Sequence, residues 1–180
     1  MSYLLVLYFL TMSNLKKEFS RIYDQYINKI YRFIFLKVNS TEIAQDLTSE
    51  TFLRGWKSFE NGKNIENIQA FLYRIARNLV VDFYRSKGKI QIISANSDKI
   101  EDPRANPKEK AEFNSDMLLI QQAITQLKED YQNIIIWHYI EDLSIKEIAE
   151  IMSKSEENTR VTLHRALKSL KNKLQKTTLA

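Results

Sequence analysis

The sequence predicts an all-α protein made of two small helical domains joined by a flexible linker. Three observations carry that expectation. Only 3 of 180 residues are Gly and 2 are Pro, too few turn-formers for a β architecture with many tight connections. Apolar residues recur at three- and four-residue spacing through most of the chain, the period of an amphipathic helix. One stretch, residues 86–115, has no such period. It holds both prolines, one glycine and many Ser, Asn and Lys. Roughly 30 structureless residues are unusual inside one domain, so the expected division is a first domain over 15–86, a linker over 87–115 and a second domain over 116–175.

Composition narrows the class further. A hydrophobic content of 44% is enough for real cores. The absence of Cys excludes disulfides, thiol catalysis and Cys-based zinc sites, and makes a reducing cytoplasm the natural setting. The formal net charge is +5, and its distribution says more than its total. From Asn158 to the end, Arg160, Arg165, Lys168, Lys171, Lys173 and Lys176 occur with no acid between them. Such clustering is the footprint of a nucleic-acid binder, although a surface for anionic lipid would look similar by charge alone.

The elements follow in order. Tyr3–Leu10 is an apolar run about half as long as the ~20 residues that span a bilayer, and it lacks the flanks of a signal peptide. No stable membrane insertion is expected. Either Met12 is the natural start, or residues 1–11 are a short extension laid on the first helix. Leu15–Val38 reads as that helix, and Asn39-Ser40-Thr41 breaks it and offers a cap to the next. Thr41–Phe59 is the second helix, with Ala44, Leu47, Thr51, Phe52, Gly55 and Phe59 inward. Its outer face gathers Glu42, Asp46, Ser49, Glu50 and Leu53. Two carboxylates one turn apart, beside an exposed Leu in an otherwise basic protein, suit a docking surface for a basic partner.

After the polar loop 60–67, Ile68–Arg85 is the third helix. At about 100° per residue, Ile68, Phe71, Leu72, Ile75, Ala76, Leu79 and Phe83 fall on one side. Tyr73, Arg77, Val80, Val81 and Tyr84 fall on the other, flanked by Arg74 and Arg85. Rings and guanidinium groups on an outer face suit single-stranded nucleic acid, which offers bases to stack and phosphates to neutralise. The alternative is that the two tyrosines pack under a neighbouring helix.

The second domain reads as helices over Asp116–Leu127 and Glu129–Ile140, followed by a helix-turn-helix. Ser144 with Glu147 three residues on is a capping box that opens the short apolar helix Ile145–Met152. Ser153-Lys154-Ser155 is a tight turn, and Ser155 caps a helix running to about Leu174. Thr159, Leu163, Ala166, Leu167, Leu170 and Leu174 form its inward stripe. Asn158, Val161, Thr162, Arg165 and Lys168 form the outward one. The second helix of such a motif enters the major groove, where Asn158 and Thr162 can read bases and Arg165 and Lys168 can take guanine edges or phosphates.

Four blocks of residues together resemble the extracytoplasmic-function class of bacterial sigma factors. They are Asp46-Leu47-x-x-Glu50-x-Phe52-Leu53-x-x-Trp56; Phe71 to Leu79 with Asp82, Phe83 and Arg85; Leu143-Ser144-x-x-Glu147-Ile148-Ala149-Glu150-Ile151; and Leu163-His164-Arg165-Ala166-Leu167-x-x-Leu170. The resemblance implies a three-helix bundle corresponding to sigma region 2 and a helix-turn-helix corresponding to sigma region 4. It implies core RNA polymerase and promoter DNA as partners, an anti-sigma factor as a further one, and no enzymatic activity or cofactor. Asp46, Ser49, Glu50 and Leu53 would bind the polymerase. Asn61, Lys63, Asn64, Tyr73, Arg74, Arg77, Asn78, Tyr84 and Arg85 would melt and hold the −10 element. Ser155, Asn158, Arg160, Val161, Thr162, His164, Arg165 and Lys168 would contact the −35 element.

The sequence departs from the family pattern in places. Ser49 stands where Gln is usual, Phe71 where Trp is common, and Lys128 where a Pro usually opens the helix. Met152 and Ser153 replace a Gly-containing turn entry, and Val161 and Thr162 sit where polar and basic residues are common. The two histidines, His138 and His164, lack the spacing of metal ligands. Nothing near Asp46 and Glu50 supplies a nucleophile for acid–base chemistry. A rival reading is an autonomous helix-turn-helix regulator whose first bundle dimerises or senses a signal; it would bury Tyr73, Arg77 and Tyr84. A third is a purely structural helical scaffold.

Overall fold

The computed structural model describes residues 2–86, 120 and 122–178, with side chains over 13–86, 120 and 122–175. The expected linker, and the start of the helix expected from Asp116 (residues 116–119, with 121), lie outside the described residues. Every regular element among those described is helical. The chain forms two compact units, Met1–Phe35 with Glu42–Gln91 and Leu36–Thr41 with Ile92–Ala180.

The first unit is built from α1 (Ser2–Val38) as far as Phe35, α2 (Thr41–Glu60) from Glu42 on, and α3 (Ile68–Ser86). Helix α1 is one continuous helix from Ser2; residues 2–11 prolong it and do not fold back on it. Asn39, with φ 49°, ends α1 in the left-handed conformation that Asn tolerates better than most residues. Phe19, Tyr26, Ile30, Phe33 and Ile34 of α1 are buried, as are Ala44 and Phe52 of α2 and Leu72, Ala76 and Leu79 of α3.

An aromatic cluster ties α1 to α2. The Phe19 ring lies 5.3 Å from Trp56, 5.7 Å from Phe59 and 6.5 Å from Phe52, and Tyr23 lies 4.8 Å from Phe52. These are the edge-on and tilted geometries that ring quadrupoles prefer. Gly55 lets the helices close in. A Cβ built there would sit 3.1 Å from Leu72 Cδ2 of α3 and 3.5 Å from Phe19 Cζ of α1. Thr48 and Thr51, both buried in α2, donate their hydroxyls back to Ala44 O at 2.6 Å and Leu47 O at 2.7 Å, which satisfies them inside the bundle.

Helix α2 ends as a helix followed by Asn-Gly should. Gly62 has φ 70°, its N–H reaches Phe59 O and the Lys63 N–H reaches Ser58 O. That pair of bonds is a Schellman closure. Asn67 then caps α3, accepting from the Ala70 N–H at 2.9 Å.

In the second unit, residues 122–125 are helical, with Ala123, Ile124 and Leu127 buried. Helix α4 (Glu129–Ile135) runs into a π-helical turn, Ile136–Ile140, where the sequence predicts uninterrupted α-helix. The wider turn is closed by Glu141 N–H to Ile136 O and Leu143 N–H to Trp137 O, while the His138 ring meets Leu143 O at 2.9 Å. Helix α5 (Ile145–Met152) and helix α6 (Glu156–Thr178) follow. Helix α6 packs on both α4 and α5.

Candidate nucleic-acid interface

The helix-turn-helix is laid down by local chemistry. Ser144 accepts from the Glu147 N–H at 3.3 Å, and Glu147 Oε2 accepts the Ser144 N–H at 2.8 Å. This reciprocal box starts α5 where the sequence places it. At the other end Ser153 adopts φ 53°, with Ser153 N–H to Glu150 O and Lys154 N–H to Ala149 O. The turn is the same Schellman closure that follows α2, achieved here without glycine. Ser155 then caps α6, its hydroxyl accepting from the Asn158 N–H at 3.2 Å. Lys154 reaches across to Asp130 of α4 at 2.7 Å.

Helix α6 buries Thr159 and Ala166, with Leu163, Leu170 and Leu174 half-buried. Leu167, expected inward, is on the exposed side: it sits about 80° from Thr159 on the helical wheel, at the margin of the stripe. The outward face carries Glu157, Asn158, Val161, His164, Arg165, Lys168 and Lys171, all exposed. Besides Ser155, two of the expected contact residues are partly committed elsewhere. Arg160 is paired with Glu156 at 2.7 Å, and the half-buried Thr162 donates its hydroxyl to Asn158 O at 2.7 Å. His164, Arg165 and Lys168 are held by no side-chain partner among the described residues, and all three are open to solvent.

In the first unit the acidic face of α2 lies where the sequence puts it. Asp46, Ser49 and Leu53 are exposed, Leu53 at 47%, and Glu50 is half-buried. Glu50 is bridged to Arg54 at 2.7 Å, whereas Asp46 and Glu42 form no ion pair among the described residues.

The third helix requires a correction. Tyr73 is not on an open face: its exposure is 0%, and its ring packs edge-on to Phe33 at 5.5 Å. Val80 is buried with it, and Arg77 is half-buried and already engaged. Of the expected rings only Tyr84 is exposed, at 46%, and partial burial still raises its hydroxyl pKa above the ordinary value. The buried arc runs through Leu72, Tyr73, Ala76, Leu79 and Val80. Ile68, Phe71 and Ile75, expected at its centre, are only half-buried. The helix is apolar around most of its circumference, so periodicity sets the repeat but leaves the phase to its neighbours. Phe33 on α1 decides it, rotating the buried arc toward Tyr73.

The face that does open to solvent carries Arg74, Asn78, Asp82 and Arg85. Arg74 Nε bonds Ala70 O at 3.2 Å, which aims the rest of its guanidinium outward, and Arg85 stands 3.9 Å from Asp82. Beside this strip, Lys63 Nζ lies 5.0 Å from the centroid of the half-buried Phe71 ring, within cation–π range. Asn61, Lys63 and Asn64 of the preceding loop are all exposed. Phe71 is a ring that the sequence reading misplaced into the core. The signal that could have found it is its position, one turn before Arg74 and Ile75 and within reach of a basic loop.

Among the described residues no group of three or more His, Asp or Glu side chains could hold a metal, and no helix is long and apolar enough to cross a membrane.

Comparison with known proteins matches these two constructions. Residues 22–90 match the sigma-70 region 2 family and residues 117–170 the sigma-70 region 4 family. The chain is 29% identical to the RNA polymerase sigma factor YlaC of Bacillus subtilis, over 86% of this chain and 91% of that protein. It is 30% identical to the sigma factor SigV of the same organism, over 83% and 87%, and 28% identical to its ECF sigma factor SigM, over 83% and 91%. Among solved structures, the sigma factor RpoE of Bartonella quintana, in complex with the anti-sigma factor NepR, shares the fold. Its TM-score is 0.65 at 21% identity, covering 88% of this chain and 98% of that one. CnrH, in complex with the cytosolic domain of CnrY, aligns with TM-score 0.63 at 18% identity over 89% of each chain. A bundle with an acidic outer helix, followed by a helix-turn-helix with a basic outer face, is therefore accounted for by one lineage and not by a free-standing regulator. The chain belongs to the sigma-70 family as an ECF sigma factor, the non-enzymatic RNA polymerase subunit that initiates transcription.

Proposed function

We propose that the two units divide the work of promoter recognition as follows. The α2 face of Asp46, Ser49, Glu50 and Leu53 docks on a basic surface of core polymerase, Leu53 supplying the apolar contact. The strip of Arg74, Asn78 and Arg85, with Tyr84, the loop residues Asn61, Lys63 and Asn64, and Phe71 under Lys63, grips the unpaired strand of the −10 element. Helix α6 reads the −35 element through Asn158, Val161, His164, Arg165 and Lys168. Ser155 and Thr162 shape the start of that helix, and Arg160 serves once released from Glu156. In this division Tyr73 and Arg77 act from within the bundle by holding α3 in place.

The observation that supports this most is the pairing of an exposed ring–cation edge on the first unit with an exposed cationic helix on the second. Unstacking a base step costs a few kcal/mol, and stacking on an aromatic returns about 1–3 kcal/mol per base. One or two rings with flanking cations therefore match the task. One solved neighbour is bound to an anti-sigma factor. By extension this chain takes an anti-sigma protein and works in the cytoplasm, where the polymerase is.

The test is reconstitution of the full chain with bacterial core polymerase, followed by run-off transcription and permanganate probing of unpaired thymines. The expected result is promoter-dependent transcripts and an opened −10 region, both lost in a Phe71→Ala, Arg74→Ala double variant that still binds core. Unchanged opening in that variant would reject the proposed strip.

A further inference from the structure

The outward face of α6 carries one feature that a general DNA-binding helix does not need: an acid on its midline, in the first turn. Glu156 and Glu157 both lie in the first turn, where carboxylates favour the positive end of the helix. Their situations differ. Glu156 is neutralised by Arg160 at 2.7 Å, whereas Glu157 is exposed and has no side-chain partner among the described residues. On the helical wheel Glu157, Val161, His164 and Lys168 form a single line, opposite the buried Thr159 and Ala166. A free carboxylate on the DNA-facing line of a basic helix is repelled by phosphates. It is tolerated only where it meets donors, and on the floor of the major groove those are exocyclic amino groups.

Base chemistry narrows the choice. Guanine presents two acceptors and thymine one, so both reject a carboxylate. Adenine offers its N6 amino group beside the N7 acceptor, and cytosine offers its N4 amino group alone. One turn on, Val161 is 43% exposed, an apolar side chain whose natural partner in the groove is the thymine methyl. The two Cα positions are about 6 Å apart along the helix, against about 3.4 Å per base step, so they address different base pairs of one site.

We propose that Glu157 and Val161 determine specificity in the upstream element, Glu157 by accepting from a cytosine N4 amino group and Val161 by packing on a thymine methyl within two steps of it. Arg165 and Lys168 hold the flanking phosphates and offset the local negative charge. The proposal rests on α6 being the −35-reading helix.

The experiment uses holoenzyme reconstituted from the full chain and core polymerase, selecting transcribed promoters from a duplex library randomised upstream of the start. Wild type should enrich an upstream element with one cytosine favoured at least about fivefold over other bases. Glu157→Ala should erase that preference at that position alone, and Glu157→Arg should move it to guanine. Replacing the paired thymine with uracil should weaken wild type by about threefold or more and leave Val161→Ala unaffected. A uniform change at all positions in the Glu157 variants, or no change, overturns the proposal and leaves Glu157 as a helix-end charge only. If the library shows no upstream element at all while start-site opening persists, α6 is not the reader, and the parent reading fails with it.

Discussion

Replacing Tyr73 with alanine separates a ring that holds the bundle from a ring that holds DNA. Tyr73 is fully buried and packs edge-on to Phe33 at 5.5 Å. Truncating a buried aromatic to alanine costs about 3–5 kcal/mol, because apolar transfer energy is lost and the cavity does not fully collapse. The edge-on pair accounts for about 0.5–1.5 kcal/mol beyond area burial. Small domains hold only about 5–15 kcal/mol in all, so this one change removes a large share of the first unit's stability. At about 4–8 °C per kcal/mol for a domain of this size, a loss of 3 kcal/mol lowers its melting temperature by at least about 12 °C. Tyr73→Phe keeps the ring and its contact with Phe33, and should stay within about 1 kcal/mol of wild type. The assay is urea and thermal denaturation followed by circular dichroism on the full chain, with promoter opening measured in parallel below the melting transition. Loss of stability in Tyr73→Ala, with opening retained in Tyr73→Phe, is the expected pattern. If Tyr73→Ala keeps full stability and still loses strand opening, the ring is doing its work in DNA and the burial argument is wrong.

Three further outcomes follow from particular contacts. Gly55→Ala adds a Cβ 3.1 Å from Leu72 Cδ2; overpacking of about 1–3 kcal/mol outweighs a helix-propensity gain of about 1 kcal/mol, so a net loss near 1 kcal/mol should appear as a lower urea midpoint. Ser153→Gly should stabilise the second unit by up to about 1 kcal/mol, because the φ of 53° strains a residue with a Cβ; differential scanning calorimetry reads it. Leu53→Asp leaves an exposed position exposed, so stability should hold within about 0.5 kcal/mol, while affinity for core polymerase measured by fluorescence anisotropy should fall by about tenfold or more.

The residues of the helix-turn-helix were readable in order because its instructions are local. Ser144 and Glu147 cap each other three residues apart, Ser155 caps the next helix, and the basic run from Arg160 onward lies on one helix whatever it packs against. The acidic face of α2 was readable for the same reason: Asp46, Ser49 and Leu53 share a face by spacing, and no apolar residue competes with them for it. The π-helical turn at Ile136–Ile140 was not readable, since IWHYI has no residue that forbids α-helix. The carbonyls of Ile136 and Trp137 are drawn into the turn by Glu141 and Leu143, which come later in the chain.

The third helix marks the boundary between the two kinds of information. Its length is written in IQAFLYRIARNLVVDFYR, and the structure adds Asn67 as the cap at its start. Which side of it faces water is not, because apolar residues and rings occupy more than half of its circumference. That choice waited on the Phe33 ring and on the close approach allowed by Gly55, contacts between residues tens of positions apart. Sequence by itself determined the helical repeat, the caps of the helix-turn-helix, the charge of each exposed face and the family; the rotation of α3, and so whether Tyr73 or Phe71 stands at the edge of its exposed strip, was decided only by packing. Burial energy depends on what lies opposite a side chain, and a one-dimensional pattern does not contain it.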